Sequence, residues 1–142
     1  MAHTAQGTRE QIHQSAEDYL ETILILKERK GMVRSIDIAN ELQFTKASVS
    51  VAMKKLRENG YVETDANGLL TLTPEGLEIA ARVYERHRVL SDLLMALGVS
   101  AETARADACR IEHDLSDETW EKIKQHAQDH LDSSAPGAHG IP

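Results

Sequence analysis

The segment "SIDIANELQFTKASVSVAMKKLRENGYVETDANGLLTLT", residues 35–73, has the pattern of two short helices followed by a β-hairpin. Apolar residues recur at helical spacing in its first half, and Ser35 and Thr45 stand where helix N-caps are expected. The pair "NG" at residues 59–60 is typical of a helix end. Two β-type runs then flank the turn sequence of residues 65–68. This order predicts a winged helix-turn-helix.

Helices are also predicted on both sides of this segment. Thr73, Ser100 and Ser116 stand where N-caps are expected, and Pro74 suits the first turn of a helix. The predicted helices outside the opening segment cover residues 16–28, 74–98, 100–115 and 116–131.

The resulting organisation is a mainly α-helical chain with a small β-hairpin as its wing. A helix-turn-helix with a wing is followed by helices only, so the second part should be all-helical. The predicted parts are a flexible N-terminus (1–13), a winged helix-turn-helix domain (14–74), a helical domain (75–132) and a flexible tail (133–142).

The composition limits the possible classes of protein. A chain of 142 residues with 41% hydrophobic and 4% aromatic residues can bury one modest core or two small ones. No run approaches the roughly 18 apolar residues of a membrane span, and the N-terminus lacks the pattern of a secretory signal. We therefore expect a cytoplasmic protein with no membrane partner. The single cysteine, Cys109, excludes an intramolecular disulfide.

A winged helix-turn-helix is a DNA-binding geometry, although the same helices also serve as packing units. The net charge of −7 argues against general coating of DNA, but residues 33–60 carry five basic and three acidic side chains. Cations and hydroxyls suit phosphates, while Ala47 and Val51, expected to be exposed, suit thymine methyl groups. Acidic Glu63 and Asp65 weaken the case for the wing. The candidate DNA-binding residues are Arg34, Thr45, Lys46, Ala47, Ser48, Ser50, Val51, Lys54 and Arg57.

Three chemically distinct side chains share one predicted helix face in "DACRIEHDLSDE", residues 107–118. Cys109, Glu112 and His113 stand at i, i+3 and i+4, which places them within about 100° of one another. The apolar side of the same helix is expected on the other face, at Ala104, Ala108, Ile111 and Leu115. A metal site, a redox site and a solvated face all remain open at this stage.

Other candidate ligands lie on the first helix and the long helix. Asp18 and Glu21 are three residues apart, so their carboxylates could share one ion, although such a pair also occurs on solvated faces. His87 lies in the apolar stripe of the long helix. It is a candidate ligand, or a core histidine with a hydrogen-bond partner.

Five separated segments together resemble the diphtheria toxin repressor and manganese transport regulator family of metal-activated repressors. The resemblance extends in order from about residue 15 to 132. It is carried by "SAEDYLETILIL", the helix-turn-helix with "TKASVS", the wing "GLLTLTPEG", "VYERHRVL" and "DACRIEHDLSDE". It implies a winged helix followed by a helical dimerisation and metal-binding domain. The chain ends before the position of the SH3-like domain of the iron-type branch, so it is closer to the short manganese-type branch.

The resemblance also implies a metal site of mixed character. The positions that match the binuclear manganese-type site are Asp18, Glu21, His87, Glu112 and His113. Cys109 instead matches the iron-type pattern, where the manganese type has glutamate. Arg105 and Ser91 replace the histidine and glutamate of the iron-type ancillary site. The expected metal is Mn²⁺, with Fe²⁺, Co²⁺ or Zn²⁺ as alternatives because a thiolate favours softer ions.

The implied function is a homodimeric, metal-activated repressor that binds double-stranded operator DNA, without catalysis and without a small organic substrate. We predict that the metal ties the DNA-binding part to the helical part, and that Leu93 and Leu97 contribute to the dimer interface. Two alternatives remain. One is a metal-independent regulator that senses oxidation at Cys109, and the other is a binuclear metalloenzyme.

Overall fold

A computed structural model of the protein describes residues 2–134, and it describes side chains for residues 15–130. The described residues divide between Val83 and Tyr84 into two compact units, called here the N-terminal and the C-terminal unit. The predicted mainly α-helical fold with a β-hairpin is confirmed. The elements are α1 (Ala2–Lys30), α2 (Ser35–Leu42), α3 (Lys46–Glu58), β1 (Val62–Thr64), β2 (Leu70–Leu72), α4 (Pro74–Ala96), α5 (Ala101–Ile111) and α6 (Asp117–Ser134).

The helix-turn-helix consists of α2 and α3, joined by a tight turn. Gln43 adopts the left-handed conformation, with φ of 57°, and thereby ends α2. Thr45 caps α3 as predicted, because its hydroxyl accepts a hydrogen bond from the backbone N–H of Ser48 at 3.1 Å. The turn therefore gets its geometry from local hydrogen bonds.

The start of α2 differs from the prediction. Ser35 is the first helical residue, and Arg34 occupies the cap position. The backbone N–H of Arg34 donates to a carboxylate oxygen of Asp37 at 2.8 Å. The hydrogen bond from the Lys30 ammonium, followed by that from the Arg34 backbone, lowers the pKa of Asp37. The start of α2 is thus stabilised by the side chain of its third residue, Asp37, and not by Ser35 as the cap.

The wing is an antiparallel pair of strands in which Val62 faces Leu72 and Thr64 faces Leu70. One carboxylate oxygen of Asp65 accepts hydrogen bonds from the backbone N–H groups of Asn67 and Leu69, at 2.8 and 2.9 Å. These bonds close the connecting turn and confirm the hairpin predicted from its composition.

The core of the N-terminal unit is built around α1. This helix packs against α2 and β2, while α3 packs against α2 and β1. The backbone N–H of Leu70 donates to the carbonyl of Val33 at 2.8 Å, which fastens the wing to the segment after α1. The buried apolar side chains of the core are Tyr19, Leu20, Ile23, Leu26, Val33, Ile38, Ala39, Val49, Met53, Leu56, Val62, Leu70 and Ala80.

The C-terminal unit contains the second half of α4 together with α5 and α6. Ser100 and Ser116 cap α5 and α6 as predicted, by accepting hydrogen bonds from the backbone N–H groups of Thr103 and Thr119. Lys124 on α6 forms an ion pair with Glu85 on α4 at 2.9 Å. The buried apolar side chains of this unit are Leu90, Ala104, Ala108, Trp120 and Ala127.

Helix boundaries differ from the prediction at both ends of the chain. Helix α1 begins at Ala2 and not at residue 16. The helix was predicted from apolar periodicity, and residues 2–15 are helical without that pattern. The predicted flexibility of residues 1–13 remains a prediction. Helix α6 extends to Ser134, and the rest of the predicted flexible tail lies outside the described residues. Within residues 2–134, no helix has both the length and the apolar character needed to cross a bilayer.

Gly76, in the first turn of α4, lies directly against the backbone of Tyr61. A Cβ atom added at Gly76 would collide with the Tyr61 carbonyl group, which accepts a hydrogen bond from Thr73. An exposed helix position gains up to about 1 kcal/mol when glycine becomes alanine. We expect the opposite sign for Gly76→Ala, a loss of about 1–3 kcal/mol. Urea unfolding followed by circular dichroism measures the change.

The control for this variant is Glu75→Ala, at the exposed neighbouring position. That substitution should change the free energy of unfolding by less than about 0.5 kcal/mol. A Gly76→Ala variant more stable than the wild type would contradict the close approach of α4 to Tyr61.

Candidate functional site

The end of α5 places the central residue of the candidate site. The helix ends at Ile111, and Glu112 is its C-cap, with an N–H that still donates to the Ala108 carbonyl. His113 follows in a turn, so the predicted helix to Leu115 is too long. The last regular backbone hydrogen bond belongs to Glu112, after which Asp114 bonds to Ile111 in a tighter turn.

The face of α5 that is buried also differs from the prediction. Ile111, expected on the apolar side, is 39% exposed, whereas Glu112 is 1% exposed. Ala104, Ala108 and Glu112 follow one another at intervals of four residues and form one buried stripe. The carboxylate therefore lies on the packed side of α5.

Two imidazoles contact the buried Glu112 carboxylate. His87 on α4 approaches one oxygen through Nδ1 at 3.0 Å, and His113 approaches the other through Nε2 at 3.4 Å. The Glu112 side chain is fully buried, and that of His113 is only 4% exposed. Of the predicted ligands, the structure thus brings His87, Glu112 and His113 together within the C-terminal unit.

This arrangement is chemically suited to a divalent cation. A carboxylate loses much of its hydration when it is buried, so positive charge close to it is needed to keep it ionised. Carboxylate oxygen and imidazole nitrogen are both ligands for Mn²⁺, Fe²⁺ and Zn²⁺. The donor set therefore fits a metal of this class, and protonated imidazoles could supply the same charge without one.

Arg86 holds the backbone at Glu112 in place, a role that the sequence pattern did not indicate. Its guanidinium donates to the Glu112 carbonyl at 3.4 Å and to the Asp117 carboxylate at 3.0 Å. It also lies over the ring of Trp120, at 5.4 Å from the ring centroid. Only 13% of its side chain is exposed. One side chain of α4 thus joins the end of α5 to the start of α6.

The remaining predicted ligands differ in exposure. Cys109 is exposed on α5, because it lies one residue beyond the buried Ala108 and so points about 100° away. On α1, Glu21 is buried and Asp18 is half-buried. Glu21 therefore does not belong to a solvated face, which was the alternative explanation of this pair.

The predicted DNA-binding side chains lie on exposed parts of the N-terminal unit. Val51 is 56% exposed, and Ala47 and Lys54 are exposed on the same helix. Arg57 donates to the Thr64 hydroxyl at 3.2 Å, and Arg34 donates to the Asn67 carbonyl at 3.3 Å, so both lean towards the wing. The other exposed candidates on or next to α3 are Thr45, Lys46, Ser48 and Ser50.

The two leucines predicted at a dimer interface lie near the end of α4. Leu97 directly follows the helix and is 74% exposed, while Leu93 is half-buried. Exposure of a large apolar side chain to this extent is consistent with a surface that a partner covers.

Two family models match the chain and together cover most of it. Residues 11–68 match the N-terminal DNA-binding domain of iron-dependent repressors. Residues 73–133 match their metal-binding and dimerisation domain. The two matches follow the same order as the winged helix-turn-helix and the helical C-terminal unit.

Curated relatives agree with the family models. An uncharacterised HTH-type transcriptional regulator of Methanocaldococcus jannaschii is 37% identical over 113 residues, which are 78% of this chain and 90% of the relative. The HTH-type transcriptional regulator MntR of Geobacillus kaustophilus is 40% identical over 109 residues, 77% of this chain and 75% of the relative. MntR of Salmonella typhimurium is 35% identical and covers 80% of this chain and 73% of its own length.

Solved structures show the same fold in longer proteins. The manganese regulator SloR has a TM-score of 0.71 and 30% identity over 80% of this chain. A manganese-dependent transcriptional repressor in complex with manganese has a TM-score of 0.72 and 29% identity, also over 80% of this chain. The chain spans about half of each, 53% and 52% respectively.

Removal of the Arg86 guanidinium is expected to destabilise the C-terminal unit. Arg86→Met keeps most of the apolar stem but leaves the Glu112 carbonyl without this donor, which should cost about 1–3 kcal/mol. Fluorescence of Trp120, the only tryptophan, measures unfolding of this unit in urea.

The control is Asp117→Asn, which removes the carboxylate that forms an ion pair with Arg86. The Asp117 side chain is 97% exposed, so loss of this ion pair should cost less than about 1 kcal/mol. If the two variants were equally destabilised, the exposed ion pair would account for the effect of Arg86, and its contact with Glu112 would contribute little.

Proposed function

The chain belongs to the iron-dependent repressor family of metal-dependent transcriptional regulators, and we propose that it binds operator DNA as a homodimer when a divalent metal is bound. The observation that best supports this function is the buried Glu112 carboxylate between His87 and His113. A repressor of this kind acts in the cytoplasm, regulates genes of metal homeostasis and performs no catalytic step.

The proposed metal site has ligands in both units of the chain. His87, Glu112 and His113 would be the ligands of the C-terminal unit, with Cys109 as a further ligand on the same segment. Glu21, whose carboxylate is buried, and Asp18 would be the ligands of the N-terminal unit. Six ligand positions are enough for two ions per protomer.

Mn²⁺ is the metal that we propose first, with Fe²⁺ next. Asp18, Glu21 and Glu112 would provide hard carboxylate oxygens, which suit Mn²⁺. Two of the similar solved structures, the manganese regulator SloR and a manganese-dependent transcriptional repressor, are named for manganese, which agrees with this choice. A thiolate at Cys109 would shift the preference towards Fe²⁺, Co²⁺ or Zn²⁺.

Activation in this proposal is an electrostatic effect of the ligands. A bound ion would supply the positive charge that the carboxylates of both units share. Without it, Asp18 and Glu21 would repel Glu112, and the DNA-binding units of a dimer would sample many separations. With the carboxylates held together, the two α3 helices could match half-sites one helical turn, or a multiple of a turn, apart.

In the proposed DNA complex, α3 enters the major groove. Lys46, Lys54 and Arg57 would contact phosphates, because they are exposed cations on or near the same face. Ala47 and Val51 would contact base edges through their small apolar side chains. The partner for dimerisation would cover Leu97 and the neighbouring Leu93.

One alternative is a metal-independent regulator that senses oxidation. The exposure of Cys109 favours it, because an accessible thiol can be oxidised. This alternative gives no role to the buried carboxylate and its two imidazoles. It predicts DNA binding that changes with peroxide and is unaffected by a chelator.

The metal proposal predicts that DNA binding requires a divalent ion and an ionised residue 112. The probe is a duplex selected from a random library by the wild type in the presence of Mn²⁺. We expect the wild type to bind it in Mn²⁺ and to lose most of its affinity in EDTA. Glu112→Gln should bind weakly in both, because the neutral amide keeps the size of the side chain and removes its charge.

Glu118→Gln is the matched control, since it neutralises an exposed acidic side chain of α6. This variant should respond to Mn²⁺ like the wild type in a gel-shift titration. Equal affinity of the wild type in Mn²⁺ and EDTA would refute metal activation, and Trp120 fluorescence checks that Glu112→Gln is folded.

The proposed DNA contacts predict different effects for a cation and for an apolar residue of α3. Lys54→Ala should weaken binding to all sequences and reduce the dependence of log affinity on log salt by about one unit. Val51→Gln should change the preferred sequence instead. Affinities at several salt concentrations measure the effect of Lys54→Ala, and selection from a random library measures that of Val51→Gln. A parallel loss of affinity on every sequence in both variants would contradict base contact by Val51.

A further inference from the structure

Two histidines on α6 lie side by side on the surface of the C-terminal unit. His126 and His130 are four residues apart, so they share one face of the helix. Their rings stack, with centroids 4.0 Å apart and planes inclined by 19°. Both residues are exposed. The predicted ligands discussed above lie on other segments, so the metal-site proposal leaves this pair without a role.

The hydrogen bond of His130 involves one ring nitrogen and leaves the other for a metal ion. Its Nδ1 lies 3.0 Å from the backbone carbonyl of His126. A carbonyl oxygen only accepts, so Nδ1 must donate its hydrogen, and the lone pair of the neutral ring is then on Nε2. A bond from Nδ1–H to a backbone carbonyl is a common way to orient a histidine that binds metal through Nε2.

The backbone that carries the pair is well anchored. Ala127, next to His126, is buried, and Lys124 is paired with Glu85 on α4. Two imidazoles at i and i+4 on a helix can bind one transition-metal ion, as they do in the HExxH motif. With the helix fixed and the His130 ring held by its Nδ1 hydrogen bond, rotation of the His126 side chain is needed to bring a second nitrogen to an ion at Nε2 of His130.

We infer that His126 and His130 form a second metal site, which binds one Zn²⁺, Ni²⁺ or Cu²⁺ ion through two ring nitrogens. Solvent water would complete the coordination, because both rings are exposed. Imidazole nitrogen prefers these ions, and Mn²⁺ is the weakest binder of the divalent first-row series. The site therefore discriminates against the metal proposed for activation. This inference does not depend on the proposed function.

The test compares the wild type with a variant in which His130 and Gln128 exchange places. His130→Gln with Gln128→His keeps the composition, but the histidines then stand two residues apart and point in nearly opposite directions. Calorimetric titration of the full chain with Ni²⁺ should count one ion fewer per protomer in the exchanged variant. Loss of an outer-shell partner lowers the affinity of a metal site roughly 10–100-fold. His126→Ala removes a ligand itself, so it should lower the affinity of this site by at least that factor.

Nuclear magnetic resonance of the imidazole rings identifies the ligands directly. Substoichiometric Ni²⁺ should broaden the ring signals of both His126 and His130 in the wild type, and the same concentration of Mn²⁺ should broaden neither. Equal numbers of bound Ni²⁺ in the wild type and the exchanged variant would overturn the inference. A response from only one of the two rings would overturn it as well. Circular dichroism and Trp120 fluorescence confirm that the variants are folded.

Discussion

The burial of one carboxylate imposes the main constraint on the C-terminal unit. Glu112 is almost inaccessible to solvent, and a charged group in that position is stable only if cations or strong donors surround it. The side chains that lie against this carboxylate come from two segments, His87 on α4 and His113 in the turn after α5. Arg86, next to His87, donates a hydrogen bond to the backbone carbonyl of Glu112. The same contacts with Glu112 therefore pack α4 against the end of α5 and form the candidate site.

The sequence predicted the features that local interactions create, and it was less accurate where packing between elements acts. Thr45, Ser100 and Ser116 were identified as caps because a side-chain oxygen needs only the next turn of backbone to act. The start of α2 was displaced by one residue, since Asp37 receives support from Lys30, seven residues away in sequence. The candidate ligands were singled out from helical spacing and were assigned to one site through a family resemblance, whereas the burial of Glu112 was not predicted. Helical spacing identifies residues on a common face, but contact with α4 makes that face the buried one.

The proposed recognition of DNA and the proposed metal response place different demands on the N-terminal unit. Exposed Ala47 and Val51 give α3 a surface with little charge at its centre and cations at its edges. Such a surface depends on correct placement for its affinity, because the apolar contacts form only in the groove. A dimer whose DNA-binding units are held at one separation meets this demand. A dimer whose units move freely loses binding free energy, because the units must be ordered when DNA binds. In the proposed function, Asp18 and Glu21 on α1 would be metal ligands, and the burial of Glu21 agrees with that role.

The two groups of histidines suggest how a protein could respond to Mn²⁺ in the presence of ions that bind nitrogen more strongly. Affinity alone cannot select Mn²⁺, because Zn²⁺, Ni²⁺ and Cu²⁺ precede it at almost any site with imidazole ligands. Geometry, ligand type and metal availability must then contribute to selection, and so can the consequence of binding. An ion at His126 and His130 contacts one helix and leaves the carboxylates at Glu112 and Glu21 unchanged, so it has no means of favouring the DNA-binding arrangement. In the proposed function, an ion that engages carboxylates from both units would do so. In this scheme, the number and hardness of the ligands engaged determine which metal activates the protein.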